Sequence, residues 1–317
     1  MSGLLTLLQT LLFVFSAPLL AGWSKRVKCR LQNRRAPSVL QPYRDLFKLY
    51  RKEPIVPYPA SWLFRAAPYL IFASTVLAAA IVPLVAVNLQ PARIADVIVL
   101  VGFFALGRTF QVLAAMDSGT AFGGLGASRE MTISSLAEPA MLMAVFTLAM
   151  SAHTTNLSQA LHYVLDSGVV LRPSFVFALG SLMLVAVAET GRIPVDNPAT
   201  HLELTMIHEA MILEYSGRWL ALIDWASQIK FMLYGVLIAN IFFPWGIAQE
   251  TGWQALGQGI GAIALKLAVL AWLLVLSEAL FAKMRIFRVR EYLSFAYLLS
   301  VLGMLSYIIL EAARVHH

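Results

Sequence analysis

The sequence predicts an all-α integral membrane protein with about eight transmembrane helices. Three observations carry that expectation. Of the 317 residues, 59% are hydrophobic and only 13% are charged, whereas soluble domains carry about 25% charged residues. Apolar runs long enough to cross a hydrocarbon core of about 30 Å recur along the whole chain. The short alternating segments of an outer-membrane β-barrel are absent.

The first run, near 3–23, has no basic residue ahead of it and is followed by positive charge. A secretory signal peptide has the opposite order, so the run reads as a retained anchor with its N-terminus outside. The next segment holds eleven Lys or Arg between Lys25 and Arg65. Spans follow near 66–88 and 95–116, with Arg108 and Asp117 flanking the inner half of the second of these. The fourth span, near 131–151, is preceded by "GGLGASRE" and brings Arg129, Glu130 and Glu138 to its inner half. The fifth, near 172–190, ends on Glu189. The sixth and seventh lie near 227–249 and 258–281, with Lys266 near the middle of the seventh and Glu278 near its inner end. "KMRIFRVRE", with four Lys or Arg, leads into the eighth span near 292–312.

The remaining loops, near Arg93, from His153 to Arg172 and near Glu250, are nearly empty of positive charge. The positive-inside rule then places the two basic loops in the cytoplasm and both termini outside. The expected architecture is one polytopic domain over 1–317, with cytoplasmic loops near 24–65, 117–130, 190–226 and 282–291.

Several function classes fall away at this point. The single cysteine, Cys29, excludes an internal disulfide and any multi-cysteine zinc or iron–sulfur site within the chain. The net charge of +7 is concentrated in two loops, a topology signal rather than a nucleic-acid footprint. "GGLGAS" follows a membrane span and lacks the βαβ frame of a phosphate loop, so its glycines serve a tight turn or a close helix approach. His201, His208 and Glu209 do not form a His-Glu-x-x-His pattern and are not read as metal ligands. No nucleophile–base arrangement is visible, and nothing in the chain alone reads as a complete enzyme.

What stands out is the stretch from Ala188 to Arg218, which concentrates Glu189, Asp196, Glu203, Glu209 and Glu214 in an otherwise apolar chain. Pro194 and Pro198 break any continuous helix through it, and Gly217 reads as a helix stop. Its leucines, isoleucines and methionines suggest helical turns with a face to bury. A solvated loop packed on its own bundle and a docking surface or polar cavity wall are both open. Ionisable groups within spans are costly and default to functional candidates. Carboxylates and lysines with intervening water carry protons through hydrocarbon, while the alternative is salt bridges that lock helices together. Each residue alone fits either; the set favours a polar pathway.

Four motifs occur in a fixed order: "NRRAPSVLQPYRDLFKLYRKE" (Asn33 to Glu53), "GASRE" (Gly126 to Glu130), "ETGRIPVD" (Glu189 to Asp196) and "EYSG" (Glu214 to Gly217). With these the chain resembles the subunit 1 family of respiratory complex I over essentially its full length. It looks closest to the membrane subunit of the group 4 nickel–iron hydrogenases, including formate hydrogenlyase and the hydrogenase-4 component C type. Lys266, Glu278 and the following "AKMR" also look like that branch. Ala36 and Ser38 depart from the glycines of the first motif, and His201, Met206, Ile207 and His208 depart from the Glu- and Gln-rich pattern of the acidic segment.

The resemblance implies a non-catalytic membrane anchor that couples electron transfer in a soluble arm to proton or sodium translocation. It places Glu130, Glu138, Glu189, Asp196, Glu203, Glu209, Glu214, Lys266 and Glu278 on the coupling path. Arg129, Arg192 and Arg218 would tune their charge; Arg34, Arg35, Tyr43, Arg44 and Asp45 would hold the soluble subunits. The implied partners are a hydrogenase-like large subunit, an iron–sulfur small subunit and antiporter-like membrane subunits, in a bacterial or archaeal cytoplasmic (inner) membrane. A nickel–iron centre and iron–sulfur clusters would sit on those partners, with none on this chain. A quinone-site subunit of an NADH:quinone oxidoreductase is the alternative, and quinone would bind there. A stand-alone solute transporter is the alternative of another class; the lack of an internal repeat and of paired broken helices weighs against it. A purely structural anchor is a further one.

Overall fold

A computed structural model describes residues 2–86, 96–167, 172–196, 206–248, 252–282 and 284–311. In chain order the helices are α1 (Ser2–Leu31), α2 (Gln41–Tyr50), α3 (Trp62–Ile81), α4 (Val97–Asp117), α5 (Ala121–Ser151), α6 (Leu157–Ser167), α7 (Pro173–Glu189), α8 (His208–Ile212), α9 (Gly217–Phe242), α10 (Trp253–Leu280) and α11 (Ile286–Ser306). Among the described residues there is no extended strand, only two isolated bridges. An all-α membrane bundle is therefore the observed class.

Seven helices, α1, α3, α4, α5, α9, α10 and α11, are long and apolar enough to cross a bilayer. The remaining expected span, the fifth, is α7, which has 17 residues, about 25 Å at 1.5 Å per residue. Several boundaries move: α1 runs on to Leu31 rather than ending near 23, and α3 and α9 end at Ile81 and Phe242 rather than near 88 and 249. Helix α5 starts at Ala121, so all of "GGLGAS" is helical rather than loop. Helix α9 starts at Gly217 instead of near 227. An apolar average misses its first turns because Arg218, Asp224 and Gln228 lower the mean, although Asp224 and Gln228 face an internal cavity. The loop before the fifth span also contains α6, a short helix that apolar run length does not reveal.

Water does not drive helix association inside a bilayer, so close packing depends on small residues that let backbones approach. Ala78, Ala137, Ala140, Ala178, Ala239 and Ala296 accordingly sit in the core. Helices α7 and α11 pack on α5, α3 packs on α4 and α9, and α10 packs on α1 and α9. Long apolar side chains point outward, among them Leu8, Leu11 and Phe15 on α1 and Leu265, Val269 and Leu273 on α10. Gly126 serves a close approach: a Cβ there would lie 3.0 Å from side-chain atoms of Ala210 and Met211.

The interhelical segments sort to two ends. At one end Ile55 N donates to Ser216 Oγ (2.8 Å), Arg129 Nη1 to Met206 O (2.7 Å) and Met284 N to Pro194 O (2.9 Å). The other end holds the bridges Ala86 to Ala248 and Asp96 to Asn156. The "EYSG" motif pins the first end together. The Tyr215 ring stacks on Phe64 at 4.1 Å and its hydroxyl donates to Phe64 O at 3.0 Å. Gly217 has φ +55° and lies so close to the first loop that a Cβ would fall 2.5 Å from Lys52 O. It opens α9 rather than stopping α8, which ends at Ile212.

Candidate functional site

Helices α4, α5, α7, α8 and α9 bring their charged groups to one buried cluster. Its centre is Arg108 on α4, which is 6% exposed. Arg108 Nη1 donates to Glu138 on α5 and Nη2 to Glu189 at the end of α7, and Nε lies 3.3 Å from Glu130 on α5. Lys230 Nζ on α9 meets Glu189 Oε2 at 2.8 Å. His208 Nε2 lies 3.4 Å from Glu130 Oε2 and its Nδ1 3.5 Å from Asp196 Oδ2. Asp196 Oδ2 also accepts from the backbone N–H groups of Ile207 and His208, each at 3.3 Å, which holds α8 against the "GRIPVD" turn.

Two permanent cations, Arg108 and Lys230, thus face four carboxylates, Glu130, Glu138, Glu189 and Asp196. Burying ions costs several kcal/mol each, recovered only through close pairing. Carboxylates outnumber permanent cations in this group, which favours an additional proton, and His208 sits between two of the carboxylates.

A second cluster centres on Glu278 of α10, which is buried. It is held by Lys28 Nζ at 2.6 Å and Arg192 Nη1 at 3.0 Å. Arg192 also donates to Ser24 Oγ at 3.1 Å and lies 4.3 Å over the Phe231 ring. A cavity of about 230 Å³ joins the two clusters, since Arg108, Glu189, Asp196, His208, Lys230 and Arg192 all line it. Glu209, Asp224 and Gln228 line it as well. Of the acidic stretch, Glu189, Asp196 and Glu209 thus line a cavity wall.

The other expected residues scatter. Arg129 is tied to the Met206 carbonyl near the cluster. Glu214 and Arg218 are exposed. Glu203 and His201 lie outside the described residues. Lys266 is not brought to the cluster: its Nζ lies 4.9 Å from the Trp245 ring centroid, in the segment after α9. Asp117 caps α3 by accepting from Ser61 N (2.8 Å), Ser61 Oγ (2.9 Å) and Phe64 N (3.3 Å). In the first loop Arg34, Arg35 and Arg44 are exposed, and Asp45 accepts from Gln41 Nε2 at 2.8 Å. Tyr43 instead donates its hydroxyl to Phe15 O, fastening α2 to α1.

Sequence reasoning passes over Lys28, Asp224 and Lys230, and notes Arg108 without its central place. A helix-face signal was present. Asp224, Gln228 and Phe231 stand at i, i+4 and i+7 and line the cavity, as do Ile223, Ser227 and Lys230. That register becomes visible once the helix is started at Gly217. Among the described residues no group of three or more His, Cys, Asp or Glu is placed to hold a metal ion.

Burial lowers the affinity of His208 for its proton, but the Glu130 carboxylate and then Asp196 outweigh it, and its pKa is raised above the ordinary 6.5. A raised folded pKa contributes stability that is complete below the unfolded value and is lost as pH rises through the folded value. His208→Gln is therefore expected to lower the melting temperature most at acidic pH. The gap to the wild-type protein should narrow as pH rises past the folded pKa, in thermal unfolding of detergent-solubilised protein across a pH series. A gap that widens with pH would contradict the assignment.

The NADH dehydrogenase family model matches residues 4–309. Formate hydrogenlyase subunit 4 of Escherichia coli (strain K12) is 31% identical over 290 residues, covering 90% of this chain and 92% of that protein. Hydrogenase-4 component C of the same organism is 31% identical over 279 residues, with 88% and 87% covered. An NADH-quinone oxidoreductase subunit of Thermomicrobium roseum is 31% identical over 245 residues, with 69% and 71% covered. A solved structure of the membrane-bound sulfane sulfur reductase, an archaeal respiratory membrane complex, shares the fold with a TM-score of 0.80 at 18% identity, over 96% of this chain and 98% of that one. The match of the family model over residues 4–309 and the 31% identity to the formate hydrogenlyase relative over 90% of the chain establish that this multi-pass membrane chain belongs to the NADH dehydrogenase family of complex I subunit 1-like proteins.

Proposed function

We propose that this chain is the membrane anchor and coupling subunit of a multisubunit hydrogenase-like redox complex in a bacterial or archaeal cytoplasmic membrane. It links electron transfer in a soluble arm to proton or sodium translocation. One observation carries the reading: a cluster of two permanent cations and four carboxylates, of which Arg108, Glu130, Glu189 and Asp196 are buried, opens on a cavity lined in part by charged side chains inside a bundle of apolar helices. Charge in such a setting is costly and marks ion or proton paths.

In this reading Asp196, His208 and Glu209 face the cavity and exchange protons with it. Glu130, Glu138 and Glu189 share Arg108, so protonation of one carboxylate leaves the guanidinium to strengthen its bonds to the others. Arg192 and Glu278 extend the path toward α1 and α10. Exposed Arg34, Arg35 and Arg44, with the protruding Ile55, Tyr58 and Trp62, offer the surface on which a large subunit and an iron–sulfur small subunit dock. The relatives named formate hydrogenlyase subunit 4 and hydrogenase-4 component C support a hydrogenase-type assembly, and antiporter-like subunits would continue the membrane arm. A nickel–iron centre and iron–sulfur clusters would then reside on the partners. The similarity to an NADH-quinone oxidoreductase subunit favours, as second reading, a quinone-site subunit.

Affinity purification in mild detergent with mass spectrometry and metal analysis separates these. The expected result is co-purification of a hydrogenase-like large subunit and an iron–sulfur subunit together with nickel and iron. Flavin subunits and quinone without nickel would move the assignment to the second reading. A lone, metal-free polypeptide would overturn both and leave a transporter.

A further inference from the structure

A second cavity, larger than the one between the charged clusters, lies outside them. Helices α10 and α11 are consecutive, yet α10 leans on α1 and α9 while α11 leans on α5 and α7. A cavity of about 460 Å³ lies between α7 and α10, closed by residues of α1, α9 and α11. Its walls are hydrocarbon: Met183 and Val187 of α7, Ile238 of α9, and Leu267, Leu270 and Leu274 of α10 are representative.

The few hydroxyls in the wall are all turned onto protein atoms. Tyr292 donates to Leu184 O (3.1 Å), Thr190 to Ala186 O (2.7 Å), Ser277 to Leu274 O (2.7 Å) and Tyr234 to Met141 Sδ (3.4 Å). An occupant gains almost nothing from hydrogen bonding here, so a polar ring or head would be left unpaired, whereas an alkyl chain loses nothing.

One rim of the cavity is formed by Phe281, Ala282 and Met284, in the connection between α10 and α11. The adjoining sequence "KMRIFRVRE" carries four basic residues and one acidic residue. Arg285, Arg288 and Arg290 are exposed, and among the described residues none of them makes an ion pair. Arg285 stands at the cap of α11, where the first N–H groups of the helix add positive potential. A hydrocarbon cavity with a cationic rim at one end is complementary to an anionic amphiphile, and basic pockets between transmembrane helices bind acidic lipid heads.

We infer that this cavity is a binding site for an anionic phospholipid. An acyl chain fills the space between α7 and α10, and the phosphate sits against Arg285 and Arg288. The lipid wedges the two helix pairs and holds α10, with Glu278, in place. This site is separate from the polar cavity and does not depend on the proposed function.

The test uses the protein purified with whatever subunits it retains, washed exhaustively in detergent. Retained phospholipids are then extracted and quantified by mass spectrometry. Two variants are compared with wild type: Arg285→Glu/Arg288→Glu, which reverses the rim charge, and Leu274→Trp, which fills the cavity. Wild type is expected to retain an anionic phospholipid that both variants lose, with thermal unfolding unchanged in cooperativity and re-addition of anionic lipid stabilising wild type alone. Retention by both variants at the wild-type level, or no retention by wild type, overturns the inference. Loss in the charge variant but not in Leu274→Trp would mean surface attraction without a seated chain and would overturn the acyl-chain site. Loss of a co-purifying subunit in place of lipid would show that a protein covers this face, and would also overturn it.

Discussion

Arg108→Leu is expected to prevent stable accumulation of this subunit. The substitution leaves buried Glu130 and Glu189, with half-buried Glu138 beside them, without their shared cation, and only Lys230 and His208 remain nearby. Removing one partner of a buried ion pair costs about 3–5 kcal/mol, against a total stability of about 5–15 kcal/mol for a typical protein. Carboxylates this close also repel, so at least one must take up a proton to remain buried. Arg108→Lys should be milder: it keeps the charge but loses the planar fork that reaches separate carboxylates at once. The check is subunit abundance in membranes and thermal stability in detergent, with the order wild type, then Lys, then Leu. Normal abundance of the Leu variant would mean that these carboxylates are already neutral.

Glu189→Gln is expected to have the opposite profile, assembled but uncoupled. Glutamine has nearly the same shape, and its carbonyl can still accept from Arg108 and Lys230. What disappears is the ability to exchange a proton between two cations. If Glu189 lies on the coupling path, cation translocation measured in proteoliposomes should fall by about 10²-fold, the lower end of what one positioned proton-transfer group contributes. Glu214→Gln, at an exposed position on the same segment, should leave translocation unchanged. A variant at Glu189 that assembles and translocates normally would reduce that residue to a structural pairing.

Much of this molecule is legible in its sequence, and the failures share one cause. Apolar run length finds the spans because each helix must shield its own backbone from lipid. The same averaging shifts the start of α9, because Arg218 and Asp224 read as loop when they lie in the first turns of the helix, with Asp224 on its cavity face. It also cannot distinguish a charge that pairs in the core from one that reaches the other end of the bundle. Lys266 and Arg108 look alike in sequence, each a cation within an apolar run. Only the tertiary arrangement sets Arg108 against carboxylates 30 and 81 residues away and turns Lys266 to Trp245. Asp117 is the converse case. A carboxylate at a span end fits a proton path, but its neighbours are Ser61 and Phe64, so it stabilises the start of α3. The acidic segment was the most informative stretch, and its answer lay in residues outside it, Arg108 and Lys230.

The central claim is that buried carboxylates around Arg108 change protonation as the assembled complex turns over. Infrared difference spectroscopy of the purified complex, reduced minus oxidised, measures this most directly. The account predicts a carboxylic-acid C=O band whose intensity changes on reduction, which shifts in heavy water and disappears in Glu189→Gln. An identical difference spectrum in wild type and that variant, with no carboxylic-acid band, would contradict it and leave the cluster as a set of salt bridges that hold the helices together.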